Sequence, residues 1–256
     1  MRVGLVHPGE MGAAVGAALG RVGHEVLWAS AGRSAATVSR AREAGLADAG
    51  ALEALRECDV VVSLCPPHAA VETARPFAGF AGIYVDANAI SPATAQGIAG
   101  TVGRFVDAGV VGPPPWKPGT TRLYASGAEA PTVAALFAGS PLEAIVVPAG
   151  SASAVKMAYA AWSKGTAALL LAIEAVARAE GVEETLRAEW ALSLPSLPER
   201  LESARRSAER KGWRWVGEME EIADTFASAG QPDGFHRAAA EVYRSSPRPP
   251  AGSSPD

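Results

Sequence analysis

Three groups of residues in this 256-residue chain have the types and spacing to do chemistry. The first is His7-Pro8-Gly9-Glu10-Met11-Gly12, which follows an apolar run and opens a segment rich in alanine and glycine. A strand–turn–helix start of this kind aims several backbone N–H groups, and the positive end of a helix dipole, at one point. Pyrophosphate suits that point, so Pro8, Gly9, Glu10 and Met11 are candidate contacts for a dinucleotide. The usual fingerprint is GxGxxG. Its positions here hold His7, Gly9 and Gly12, so the glycine of the tight turn is missing. The glycines for phosphate approach and for helix–strand packing are kept. A plain strand–helix unit with a small-residue packing face would carry the same pattern.

The second group, Ser30, Arg33 and Ser34, closes the second apolar run. An NAD-selective site carries an acid at that strand end, where it holds the ribose hydroxyl. None stands there. Hydroxyls and a guanidinium suit a 2′-phosphate instead, which favours NADP over NAD. The plainer alternative makes Ser34 a helix cap and Arg33 a solvated loop residue. The third group centres on Lys156, within GSASAVKMAYAAWSKG. Its neighbours are apolar, so its amine either snorkels to solvent or sits in a partly dry cleft with a depressed pKa. Lys164 lies two helical turns further on. Lys117 and Arg122 flank a PPPW loop and are weaker candidates for a substrate carboxylate.

These residues need a scaffold, and the chain patterning supplies one. Apolar strand-like runs fall at 3–6, 25–29, 60–65, 83–86, 104–111, 122–126 and 143–148. Helical segments lie between the early ones, at 12–22, 34–43, 52–56, 68–78 and 92–102. The alternation predicts a doubly wound α/β domain with a mostly parallel sheet. The runs VVVSLC and IYVDAN are continuous, as strands buried on both faces should be. The loop Leu64-Cys65-Pro66 and the amide of Asn88 then fall at the carboxyl edge of the sheet, where open α/β sheets bind ligands. Ser91-Pro92 reads as a helix start.

From 151 on no convincing strand appears. One long helix is expected over 151–180, then helices at 183–192, 198–211, 216–229 and 235–244. The expected organisation is a nucleotide-binding domain over 1–149, an all-helical domain over 150–244, and a Pro/Ser-rich tail over 245–256 without fixed structure. Net charge is −4, which excludes an electrostatic nucleic-acid binder. Cys58 and Cys65 form neither a disulfide framework nor a metal-ligand spacing. Two reduced thiols, no signal peptide and no apolar stretch long enough to span a bilayer predict a cytoplasmic protein with no membrane partner.

Assembled in order, these segments resemble the β-hydroxyacid dehydrogenase superfamily, which includes 6-phosphogluconate and 3-hydroxyisobutyrate dehydrogenases. The family opening GFIGLGxMG is met by GLVHPGEMG. The substrate segment DxSTxxP is met by DANAISP, with Asn88 and Ala89 at the Ser-Thr positions. DAPVSGG is met by DAGVVGPPP, and GxGxxxKxxxN by Gly150, Ala152, Lys156 and Ala160. The likeness covers about residues 1–180. The helical remainder resembles a branch labelled only as phosphogluconate-dehydrogenase-like.

The resemblance implies a Rossmann domain binding NADP, a small hydroxy acid or its carbonyl counterpart as substrate, and Lys156 as the general acid/base. It implies substrate contacts at Asn88, Ala89, Val111 and Gly112. Ala160 replaces the family asparagine, and Tyr159 beside it is a candidate substitute. It also implies a homodimer formed through the helical domain. Two other functions stay open: an imine reductase-like enzyme, and a non-catalytic NADP-binding regulatory module. Trp162, Trp213 and Trp215 are expected in the core or a dimer interface.

Overall fold

The structure is a computed structural model and describes residues 1–247. The described residues form two compact units, Met1–Met157 and Ala158 onward. Most of the expected tail lies outside the described residues.

In the first unit the chain runs β1 (Arg2–Leu5), α1 (Glu10–Arg21), β2 (Glu25–Trp28), α2 (Ala35–Glu43), β3 (Ala47–Asp48) and β4 (Val60–Ser63). It continues α3 (Ala70–Ala74), β5 (Ile83–Asp86), α4 (Pro92–Val102), β6 (Phe105–Val111), β7 (Thr121–Ser126), α5 (Ala130–Leu136) and β8 (Leu142–Val146). The sheet order is β3-β2-β1-β4-β5-β6-β7-β8. The strands from β3 to β6 in that order are parallel, β7 runs antiparallel to β6, and β8 follows β7 in parallel. This is the expected doubly wound α/β fold.

Burial explains the strand choices. Every residue of β4 and β5 is buried, as strands covered on both faces require. One core cluster joins Val15 and Leu19 of α1 to Val133 and Leu136 of α5 across Val3, Leu5, Val60 and Val106. A second, holding Phe77, Tyr84, Ile90 and Ile98, fills another layer. Helix starts are set by side-chain caps. The Ser34 and Ser91 hydroxyls accept from the Thr37 and Thr94 N–H groups at 3.2 Å each, and Pro92 occupies the first turn of α4.

The second unit is helical. It takes up α6 (Ala152–Ala179), which begins in the first unit, then α7 (Glu183–Ser193), α8 (Leu197–Ser228) and α9 (Gly234–Arg244). Leu170, Trp190 and Leu201 form an apolar cluster within it. The buried Glu174 carboxylate is met by Arg187 at 3.0 Å and by Arg205. Lys164 pairs with Glu218, and its carbonyl accepts from the Tyr243 hydroxyl at 2.7 Å.

Five elements depart from the sequence reading. The two-residue β3 lacks an apolar run and was not expected. Residues 52–57 form a 3-10 helix, and 67–77 break into two 3-10 turns around the short α3; Pro76 denies its segment a continuous N–H ladder. The two helices expected over 198–211 and 216–229 are one. Gly212 is no breaker: a Cβ there would meet the Ser246 hydroxyl at 2.4 Å, so this glycine marks close packing. Finally, α6 is long and apolar enough to cross a membrane by length and composition, because its many alanines extend the apolar window. Its internal charges Lys164 and Glu174 are nevertheless paired with residues of α7 and α8, as in a helix packed within protein.

Candidate functional site

Because β1, β2, β4, β5 and β6 are parallel, the segments that follow them all lie at one carboxyl edge. The sheet order turns outward in both directions from β1 and β4. A crevice between diverging loops is therefore built at this switch point.

At the head of β1, Gly9 is the N-cap of α1, and no side chain caps it. The start of α1 thus has no side-chain cap on its first-turn N–H groups. Gly12 has the packing role assigned to the last glycine of the fingerprint. A Cβ there would lie 2.0 Å from the His7 carbonyl oxygen. Pro8 is buried and Glu10 exposed, with Gly9 and Met11 between. Arg33 spans back to this turn, its Nη2 donating to the Val6 carbonyl at 3.3 Å. Ser34 is occupied as the α2 cap, which is the plainer of its two expected roles.

Two residues at this end escaped the sequence reading. Arg40 of α2 donates from Nη1 to the Pro8 carbonyl at 3.3 Å, so two guanidinium groups border the turn. Its position in a helix, rather than at the strand end, hid it. Asp48 stands at the end of β3, in register with Trp28. The Gly50 N–H and the Ser30 hydroxyl hold its carboxyl below the usual carboxylate range. The acid missing from the end of β2 is thus supplied beside Ser30 by the unforeseen β3.

Asn88 lies between β4 and β5 and is 2% exposed. Its Oδ1 accepts from the Cys65 N–H at 2.5 Å. Its Nδ2 donates to Ser63 Oγ at 3.2 Å and to Asp86 Oδ2 at 2.8 Å. Both amide hydrogens are therefore spent inside the protein. The amide, expected to orient a substrate, bonds within the protein: Asn88 ties two strand ends beside the loop Leu64-Cys65-Pro66. Burial pushes the Cys65 thiol up, so it rests as a neutral thiol. Ala89 is partly exposed beside Asn88.

Lys156 is anchored to β6. Its Nζ donates to the Val110 carbonyl at 2.8 Å. Its stem crosses Gly109, where a Cβ would sit 2.7 Å from Lys156 Cβ. Neither expected alternative describes it fully: the side chain is half-buried and its head is held at the carboxyl edge. Val111 is buried and Gly112 exposed. Gly112 has φ +115°, and a Cβ there would meet the Thr120 carbonyl at 2.3 Å, so only glycine fits this turn. Gly109 and Asp107 are the residues here that the sequence reading missed.

The remaining candidates lie elsewhere. Tyr159 belongs to the second unit and is half exposed, while Ala160 is buried. Lys164 is committed to Glu218. Arg122 faces Glu143 at 3.7 Å, and Lys117 is exposed. Trp215 is buried and stacks edge-on to Tyr243, whereas Trp162 is 65% exposed.

The fold and this edge define a Rossmann-type α/β domain followed by a helical C-terminal region. No protein of curated function matches the chain. A domain of unknown function, DUF1932, matches residues 177–246. A conserved protein of unknown function, structurally similar to 3-hydroxyacid dehydrogenases, is 30% identical, with TM-score 0.69 over 95% of this chain and 97% of that one. The chain belongs to the β-hydroxyacid dehydrogenase family. Two more distant structures share the fold. The 3-hydroxyisobutyrate dehydrogenase of Mycobacterium tuberculosis is 19% identical, with TM-score 0.68 over 95% of this chain and 92% of that one. A reductive aminase from Aspergillus terreus, in complex with NADPH and ethyl levulinate, is 18% identical, with TM-score 0.59 over 95% and 92%.

Proposed function

We propose that the chain is an NADP-dependent oxidoreductase acting on a small hydroxy acid or its carbonyl counterpart, with Lys156 as general acid/base. The observation that carries this is the fixed amine: Lys156 Nζ held at 2.8 Å from the Val110 carbonyl, at the same sheet edge as the uncapped start of α1. An ammonium has three protons. One is donated to the Val110 carbonyl, and in reduction the ammonium would protonate the forming alkoxide or amine. In the reverse direction the amine takes the alcohol proton.

The residues at the head of β1 fit a dinucleotide. The first-turn N–H groups of α1 would hold the pyrophosphate, and Gly12 keeps His7 close beneath it. Arg33 and Arg40 would meet a 2′-phosphate, and Ser30 the ribose. Asp48 opposes them, so the guanidinium pair has to outweigh one carboxylate for NADP to win. When bound, the coenzyme supplies or accepts the hydride. Pro66 and Leu64 would border its reactive ring.

A second reading, an imine reductase-like enzyme, is favoured by one observation. The Asn88 amide is spent internally, and Ala89 and Val111 offer only methyl groups, so this edge has few donors for a carboxylate. A non-catalytic NADP sensor predicts binding without turnover.

We also propose a homodimer through the helical domain. Tyr159, Trp162, Leu169 and Val176 recur at helical spacing on α6 and are each at least half exposed. Sedimentation as a monomer at micromolar concentration would remove the dimer.

The test begins with calorimetric titration of NADP and NAD, wild type against Arg33→Ala and Arg40→Ala. NADP affinity should fall about tenfold in each variant, the worth of a charged contact, with NAD unaffected. A substrate panel then compares wild type with Lys156→Ala. Equal turnover by both rejects Lys156 as the acid/base, and binding of neither coenzyme rejects the whole proposal.

A further inference from the structure

Asp107 of β6 is 6% exposed and makes no ion pair with lysine or arginine among the described residues. Its carboxylate is satisfied by the start of α6. Oδ2 accepts from the Ser153 N–H at 3.0 Å and from the Ser126 hydroxyl at 3.0 Å. Oδ1 accepts from the Ser153 hydroxyl. Ser126 Oγ in turn accepts from the Ala152 N–H at 3.3 Å. Two orphan N–H groups of α6 are thereby served by one acid and one hydroxyl. The negative charge also sits at the positive end of a 28-residue helix.

The same strand touches the next turn of α6. Gly109 lies under the Lys156 stem, and the Val110 carbonyl receives Lys156 Nζ. Residues 107, 109 and 110 of β6 thus hold Ser153, Lys156 Cβ and Lys156 Nζ in succession. A slip of α6 along β6 would have to break the carboxylate contacts first.

We infer that Asp107, with Ser126 and Ser153, is the positioning device that sets Lys156 against the carboxyl end of β6. It acts through the helix register, not by touching substrate. The inference rests on the reading of Lys156 as the acid/base for its importance, but the geometry can be tested without a substrate.

The experiment is competitive acetylation of the full-length protein with substoichiometric acetic anhydride, followed over pH and read by peptide mass spectrometry. Lys117 and Lys211, which lie outside α6, serve as internal references. Asp107→Asn keeps the side-chain size and removes the charge. Lys156 should then label about threefold faster or more, the scale of a lost helix-terminus charge. The reference lysines should not change. Ser153→Ala and Ser126→Ala each remove one donor and should give smaller changes of the same sign. They decide the matter if Asp107→Asn does not fold. Unchanged Lys156 labelling in the folded variants overturns the inference. If Lys156→Ala retains turnover while the labelling shifts occur as stated, the acid/base reading has failed and the positioning role stands.

Discussion

Replacing Gly109 with alanine adds one methyl group and should disable the site from beneath. The backbone at 109 lies outside the left-handed region, so alanine fits the strand conformation. On chain entropy alone the change would stabilise by about 0.4–1 kcal/mol. The new Cβ would, however, lie 2.7 Å from Lys156 Cβ and 3.2 Å from the Ala152 carbonyl oxygen. Carbon atoms pack at about 3.5–4.0 Å, so the first turns of α6 must retreat by about 1 Å. Lys156 Cβ is bonded to the helix backbone and cannot swing aside. Overpacking of this kind costs about 1–3 kcal/mol, which exceeds the entropic gain. Tm should therefore fall by several degrees, at roughly 2–4 °C per kcal/mol for a chain of this size. The same retreat pulls Lys156 Nζ from the Val110 carbonyl, and a misplacement of about 1 Å at a reacting group costs about 10²-fold in rate. Coenzyme affinity should hold, because β6 is separated from β1 by β4 and β5 in the sheet. Differential scanning fluorimetry, NADPH fluorescence titration and steady-state turnover read the three quantities. A Gly109→Ala protein with unchanged Tm and full turnover would refute the argument that β6 sets the position of Lys156.

Gly12→Ala places a Cβ 2.0 Å from the His7 carbonyl oxygen, backbone against backbone. It should destabilise by about 3 kcal/mol and abolish coenzyme binding by calorimetry; binding within twofold of wild type would contradict the cradle. Asn88→Ala leaves the buried Cys65 N–H without its acceptor and removes a donor from Asp86. The expected loss is about 2–4 kcal/mol in urea unfolding, and the substrate KM should change little if Asn88 is internal. His236 is buried against the Phe226 ring at 4.3 Å, and burial lowers its pKa. The unfolded chain then binds a proton that the folded one refuses, so stability is full above the unfolded value near 6.5 and declines as pH falls through the lower folded value. His236→Phe should flatten Tm between pH 7 and 5, and an equally steep decline in that variant would exclude the histidine.

Much of the fold was legible because strands buried on both faces leave unbroken apolar runs. VVVS and IYVD could be read as β4 and β5 before any packing was known. The two-residue β3 could not, since Ala47 and Asp48 are exposed and carry no period. Its absence from the reading also hid Asp48, and with it the acid beside Ser30. Glycines were the least legible residues. Gly212, in the gap between the two expected helices, serves helix packing, and Gly109 carried no local signal at all, because its purpose is room for a side chain 47 positions later. Asp107 was read only as part of a family segment. Its partners, Ser126 and Ser153, come from two other elements.

The departures from the family pattern gain physical meaning when their hydrogen bonds are counted. Where the pattern has Ser-Thr, this chain has Asn88 and Ala89, and the asparagine is turned inward with Oδ1 and both Nδ2 hydrogens committed. Hydroxyls at that position would be free to face a ligand; this amide is not. The glycine pair after Val111 is replaced by Gly112-Pro113, and proline has no N–H to donate. Donors are thus removed at β5 and at β6, while Lys156 and its support on β6 are kept. If Lys156 is the proton-transfer group, an edge that keeps it but sheds anchors for a carboxylate should favour a substrate held more by shape than by charge. Low-salt and high-salt KM values should then agree within about twofold for the true substrate, since screening acts on charge pairs and leaves apolar contacts in place.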